Sequence, residues 1–163
     1  MIKLLLVEDD TNLCYIIRGG LEDMIGGYEV MTASNGEEGL RIWKEQHPDI
    51  IISDIEMPVM DGYEMVRRIR ETDGFIPIVF TSGRVSPKDV VKGYELGVNN
   101  YIKKPFLAEE LDAHIGALLK ILKSATKPLN VLIAFTRPLI TEFADNLNLK
   151  HPLLPTISPY PTM

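Results

Sequence analysis

The sequence holds one cysteine, Cys14, in 163 residues. No internal disulfide can form, so a secreted disulfide scaffold and a zinc site built on cysteines are both excluded. A reducing, cytoplasmic setting fits best. Long apolar runs are missing as well. The N-terminal stretch Ile2-Lys3-Leu4-Leu5-Leu6-Val7 turns acidic at Glu8-Asp9-Asp10, which makes it too short for a signal peptide or a membrane span. Basic charge is scarce: 17 Lys and Arg against 23 Asp and Glu leave a net charge of −6, and this disfavours a chain that binds nucleic acid unaided. No Gly-rich fingerprint follows the first apolar run, so a dinucleotide-binding domain is excluded. The three histidines, His47, His114 and His151, are scattered and read as surface or structurally satisfied groups.

What is present is the composition of a soluble globular protein, 45% hydrophobic and 25% charged, sized for one domain or a domain with an appendage. The charge is unevenly spread. Residues 1–123 carry 14 basic and 21 acidic side chains, whereas residues 124–163 carry 3 and 2 together with 6 of the 11 prolines. The boundary is expected near Ser124.

Within residues 1–123, short apolar runs alternate five times with segments of helical period. The runs at 2–7, 28–33, 50–53, 76–80 and 100–103 have the length and composition of buried strands. Between them, stripes such as Leu13, Ile16, Ile17 and Leu21, or Met65, Val66 and Ile69, mark amphipathic helices. Strand followed by helix, repeated, predicts an α/β fold, a parallel sheet joined by right-handed crossovers. Local punctuation agrees: Ser34 with Glu37, or Asn35 with Glu38, caps the second helix, Asp61-Gly62 turns into the third, and Pro87 suits the first turn of the fourth. Gly19-Gly20 fits poorly inside the first helix, at a cost of about 1 kcal/mol per glycine relative to alanine. The basic run Arg67, Arg68 and Arg70 reads as a solvated helix face.

A parallel sheet gathers the C-terminal ends of its strands along one edge, where open α/β folds bind ligands. Those ends are Glu8-Asp9-Asp10, Asp54, Thr81-Ser82 and Lys104-Pro105. Crowded carboxylates call for a cation, and hard oxygen donors suit Mg²⁺. A phosphoryl group beside it would need the charge of Lys104, the hydroxyl of Thr81 and backbone N–H groups near Ile55 and Ser82. Asp54, on the middle strand, is then the nucleophile, since a carboxylate can attack phosphorus to give an acyl phosphate. Taken singly, these residues also have ordinary readings: Asp9 or Asp10 as a helix cap, Asp54 and Asp61 as turn residues, Tyr101 as core packing, Lys104 as a surface lysine.

The strings Leu5-Leu6-Val7-Glu8-Asp9-Asp10, Ser53-Asp54-Ile55-Glu56-Met57-Pro58-Val59-Met60-Asp61-Gly62, Val79-Phe80-Thr81-Ser82-Gly83 and Tyr101-Ile102-Lys103-Lys104-Pro105-Phe106 resemble, in order and spacing, the receiver domain of bacterial two-component response regulators. In layout the chain is most similar to the winged-helix transcription-factor branch. The resemblance implies a doubly wound, flavodoxin-like (βα)5 fold with strand order 2-1-3-4-5. It implies Asp54 as phosphoacceptor and Mg²⁺ held by Glu8, Asp9, Asp54 and the backbone carbonyl of Glu56. Thr81 becomes the switch hydroxyl, Tyr101 the switch aromatic and Lys104 the phosphate contact, with a cis bond before Pro105. The partner implied is a sensor histidine kinase. The domain assists only its own phosphorylation and dephosphorylation, and its output is a changed face on the fourth helix, fifth strand and fifth helix.

The chain departs from that branch in two places. The ion pairs through which many of its members dimerise on that face are mostly missing: Asn99-Asn100 replaces an acidic pair, and Val90 and His114 stand where basic residues are usual. Self-association there would rest on Val90, Tyr94 and Leu118. Leu107 also replaces the usual hydroxyl cap of the last helix. The second departure is the tail, residues 124–163, too short for a winged-helix output domain; it is expected to hold a strand at 131–135, a helix from Pro138, and extended Pro-rich chain beyond, and to offer a second route to self-association. Two other functions compete. A phosphohydrolase with an aspartyl-phosphate intermediate would carry a second aspartate two residues after the nucleophile, where this chain has Glu56. A stand-alone interaction module would not need the full acceptor set.

Overall fold

The computed structural model describes residues 1–83 and 86–125; the strand and helix expected in the tail lie outside them. The chain divides into two compact units, Met1–Lys120 and Ile121–Met163, and the sheet belongs to the first.

Five strands, β1 (Ile2–Val7), β2 (Tyr28–Ala33), β3 (Ile50–Asp54), β4 (Ile78–Ser82) and β5 (Asn100–Lys103), alternate with α1 (Thr11–Gly19), α2 (Gly36–Gln46), α3 (Gly62–Arg70), α4 (Pro87–Glu95) and α5 (Ala108–Ala125). All pairings are parallel, in the order β2-β1-β3-β4-β5. Successive side chains of a strand point to opposite faces, and here both faces are covered. Leu4 and Leu6 join Ile17 of α1 and Leu111 and Ile115 of α5 on one side. Leu5 and Val7 join Leu40 of α2 and Met65, Val66 and Ile69 of α3 on the other. This double burial is why Leu4–Val7 of β1 and Ile50–Ile52 of β3 read as continuous apolar stretches rather than alternating ones.

The fourth strand lies two residues later than its apolar run predicts. Ile76 is buried but belongs to the preceding loop, where Asp73 Oδ1 accepts from the N–H groups of Phe75 and Ile76, and Pro77 has no N–H to give. The ladder begins at Ile78, opposite Ile51, and runs on to Ser82 opposite Lys103. The third strand likewise gains Asp54.

Helix starts follow the local chemistry. Asn35 caps α2, accepting from the N–H of Glu38, while the Glu38 carboxylate returns to the N–H and hydroxyl of Ser34. Asp61 caps α3, and Ser86 with Asp89 forms a reciprocal capping box ahead of Pro87. The first helix does not simply continue through its glycines: residues Gly20–Ile25 widen into a π-helical turn. Gly20 is required there by space, because a Cβ on it would lie 2.5 Å from the Cβ of Ala108 at the start of α5. No helix among the described residues is long and apolar enough to cross a membrane.

Candidate functional site

The register brings the expected residues together at the C-terminal edge of the sheet. Val7 lies opposite Ser53 and Asp54 opposite Thr81, so Glu8 leaves β1 beside the end of β3. Oxygen atoms of Glu8, Asp9 and Asp54 all come within 4.8 Å of one another. Glu8 is 3% and Asp54 8% exposed, whereas Asp9 stands open to solvent. Lys104 reaches into this cluster from the loop after β5: its Nζ donates to Glu8 Oε2 at 2.5 Å and to Asp54 Oδ2 at 2.8 Å. The Lys104–Pro105 bond is cis.

The lysine is the internal counter-ion of a site that otherwise concentrates negative charge. Burial alone disfavours its charged form, but the hydrogen bonds and charges of Asp54 and Glu8 outweigh this and hold its pKa above the ordinary lysine value. Burial also dominates at Glu8, whose pKa is raised despite Lys104. Three oxygen donors of which one is open to solvent and two are short of water are a donor set that fits a small hard divalent cation. Asp10, by contrast, is turned away to cap α1, its Oδ1 accepting from the N–H groups of Asn12 and Leu13.

The remaining expected residues flank this cluster. Ile55 N–H donates to Asp54 Oδ1 at 2.6 Å. Thr81 is buried on the strand beside Asp54. Glu56 is exposed in the loop after β3 and lines, with Asp9, Ser82 and Lys92, a cavity of about 430 Å³. The next part of that loop is strained: Met60 N–H closes a three-residue turn onto Pro58 O with Val59 at φ 67°, a conformation β-branched residues rarely adopt. Gly62 lets the loop fold back, since a Cβ on it would meet Asp54 O at 2.3 Å. Tyr101 lies inward, its ring edge-on to Phe80 at 5.9 Å, and Phe80 is edge-on to Tyr63 at 5.4 Å. The Tyr101 hydroxyl is buried and, among the described residues, has no hydrogen-bond partner.

Arg67 and Arg68 do lie on a solvated face, paired with Glu64, Arg67 reaching Glu71 as well. Arg70 does not: it is half-buried and its guanidinium donates to the carbonyls of Asp73, Ile76 and Gly97. On the α4–β5–α5 side, the Asn100 amide lies 3.0 Å from His114 Nδ1, a polar contact on the face where the sequence lacks most of the ion pairs. Of the other histidines, His47 closes α2 in a left-handed conformation and His151 lies outside the described residues.

Residues 4–116 match the family model of the response regulator receiver domain. The chain is 43% identical over 122 residues to the transcriptional regulatory protein AfsQ1 of Streptomyces coelicolor, covering 74% of this chain and 52% of that protein. It is 41% identical over 118 residues to the transcriptional regulatory protein PrrA of Mycobacterium tuberculosis, covering 72% and 50%. It thus spans about half the length of these relatives. Among solved structures it resembles a CheY-like receiver domain protein of Methanospirillum hungatei, with TM-score 0.71 and 26% identity over 77% of this chain and 98% of that one. It also resembles the chemotaxis protein CheY4 of Vibrio cholerae, with TM-score 0.67 and 34% identity over 72% and 98%. With the family model, these relatives and the five-stranded parallel sheet all in agreement, the chain belongs to the receiver-domain family of response regulators, a family of phosphoacceptor signalling domains.

Proposed function

We propose that this chain is a phosphoacceptor switch in which Asp54 takes a phosphoryl group from a phosphohistidine of a sensor histidine kinase. The observation that supports it most is the placement of Asp54 among Glu8, Asp9 and Lys104. An Asp54 carboxylate oxygen attacks phosphorus, the P–N bond to the imidazole breaks with its electron pair left on nitrogen, and an acyl phosphate results. Mg²⁺ held by Glu8, Asp9, Asp54 and the backbone carbonyl of Glu56 would neutralise charge on the phosphoryl oxygens. Lys104, already within reach of Asp54, exchanges a carboxylate oxygen for a phosphoryl oxygen, and the Thr81 hydroxyl turns toward the same group. The turn of Thr81 changes the space in front of the Tyr101 ring, which already lies inward against Phe80, and the altered contact shifts the population of the face formed by α4, β5 and α5.

In the longer proteins that AfsQ1 and PrrA exemplify, the corresponding output is transcription, and we extend that reading to the protein this chain represents, acting in the cytoplasm. Residues 1–123 are read as the receiver and 124–163 as a Pro-rich tail. Self-association on the α4–β5–α5 face would use Val90, Tyr94 and Leu118, of which Tyr94 is half exposed.

Incubation with acetyl phosphate and Mg²⁺ tests the reading. The intact mass should rise by one phosphoryl group, and Asp54→Asn should abolish the gain. No gain in the unaltered protein, or the same gain in Asp54→Asn, contradicts it.

A further inference from the structure

The guanidinium of Arg70 is engaged in a way the phosphoacceptor chemistry does not use. Nε and Nη2 both donate to Gly97 O, at 3.1 and 2.9 Å; Nη2 also donates to Ile76 O at 2.8 Å, and Nη1 to Asp73 O at 3.0 Å. Three backbone carbonyls from two loops are thus collected by one planar group whose five N–H donors suit such a fork. Gly97 is the turn residue that ends α4, at φ 90°, and a Cβ there would meet Arg70 Nε at 3.1 Å. Immediately after it, Val98 N–H returns to Gly93 O and Asn99 pairs with Ile78 twice, backbone N–H to Ile78 O and side-chain Oδ1 from Ile78 N–H. The C-terminal end of α4 is therefore tied down at the sheet edge opposite the acidic cluster.

The body of α4 is held much less. Among its described residues only Gly93 is buried, and a Cβ there would touch Tyr101 and Phe80 at 3.2 and 3.3 Å. Toward its N-terminus, contacts among the described residues include a long hydrogen bond from the Tyr63 hydroxyl to Asp89 O, at 3.4 Å, and Lys92 Nζ lying 3.8 Å from the Tyr63 ring centre. The contact with Tyr101 thus falls close to the fixed end.

We propose that Arg70 is a positioning residue that makes Gly97 the pivot of α4, so that movement of Tyr101 against Gly93 swings the helix from its C-terminal end. At 1.5 Å per residue Gly93 is about 6 Å from the pivot and Ser86 about 16 Å. A displacement at Gly93 is then enlarged roughly threefold at the end of α4 that faces the acidic edge. The trigger rests on the phosphoacceptor reading; the anchor does not.

Hydrogen exchange on the full chain tests both, with and without acetyl phosphate and Mg²⁺, in the unaltered protein, Arg70→Met and Arg70→Lys. Without phosphodonor, Arg70→Met should speed exchange of the Gly97, Val98 and Asn99 amides about tenfold or more, while amides of Met65, Val66 and Ile69 keep their rates. Arg70→Lys should fall between, because an ammonium cannot serve three carbonyls in this fan; it carries the test if the methionine variant does not fold. With phosphodonor, exchange in the unaltered protein should change at residues 86–92 and stay unchanged at 97–99, and in Arg70→Met the change should spread to 97–99. Unaltered rates at 97–99 in both variants, acceleration spread equally through α3, or an equal change at both ends of α4 in the unaltered protein would overturn the proposal. If acetyl phosphate adds no mass to the unaltered protein, the phosphoacceptor reading and the trigger fall together, and the comparison without phosphodonor decides the anchor.

Discussion

α3 and α4 are helices of nine residues each, both laid against Phe80 of β4, and they are built to opposite ends. α3 buries Gly62, Met65, Val66 and Ile69; α4 buries Gly93 alone among its described residues. The exposed face of α3 is laced by Glu64, Arg67, Arg68 and Glu71, and its last residue, Arg70, reaches out to secure the end of α4. Stability within a domain is unequal, and the elements that move are drawn from its weakly packed part. One helix therefore belongs to the scaffold that holds Asp54 in place, through Gly62 against the end of β3, and the other to the part that can respond.

The comparison breaks most visibly if the two helices respond alike to truncation. Ile69→Ala should lower unfolding free energy by about 3 kcal/mol, whereas Val91→Ala, at an exposed site, should change it by less than about 0.5 kcal/mol; urea denaturation of the two variants measures both. A smaller effect is expected where strain leads into α3. Val59→Gly should raise stability by about 1 kcal/mol, since Val59 is exposed and its positive φ suits glycine, and the same titration would detect it. The smallest effect concerns the surface lacing. Hydrogen bonds from Arg67 and then Arg68 pull the Glu64 pKa down from 4.5 to about 2. A depressed carboxylate adds stability above its ordinary pKa and loses it as pH falls through the folded value. Glu64→Gln should therefore be slightly less stable than the unaltered protein at pH 6, with the difference shrinking between pH 4.5 and 2 and at high salt. Thermal melts across that range would show it.

Much of this was readable from the residues, because the signals were local or periodic. Both-face burial gives β1 and β3 their continuous apolar stretches, Leu4–Val7 and Ile50–Ile52, and the motif spacings place Glu8, Asp54, Thr81 and Lys104 at one edge. What escaped depended on partners distant in sequence. Ile76 is as apolar as a strand residue, but Asp73 and Pro77 keep it in the loop. Gly20 looked like a flaw in α1 until Ala108, 88 residues later, filled the space a side chain would need. Arg70 shares its periodicity with solvated neighbours, and nothing in residues 67–70 announces the carbonyl of Gly97. The buried hydroxyl of Tyr101, without a hydrogen-bond partner among the described residues, is equally invisible in a string that only says aromatic before Lys104.

Phosphorylation at the acidic edge should displace α4 over a fixed α3. Methyl NMR spectra of the unaltered protein before and after acetyl phosphate with Mg²⁺ follow the two helices separately. The methyl signals of Val90 and Val91 should shift while those of Met65, Val66 and Ile69 hold their positions. Equal shifts in both helices, or a phosphorylated protein whose α4 methyls do not move, would rule out a mobile α4 over a fixed α3.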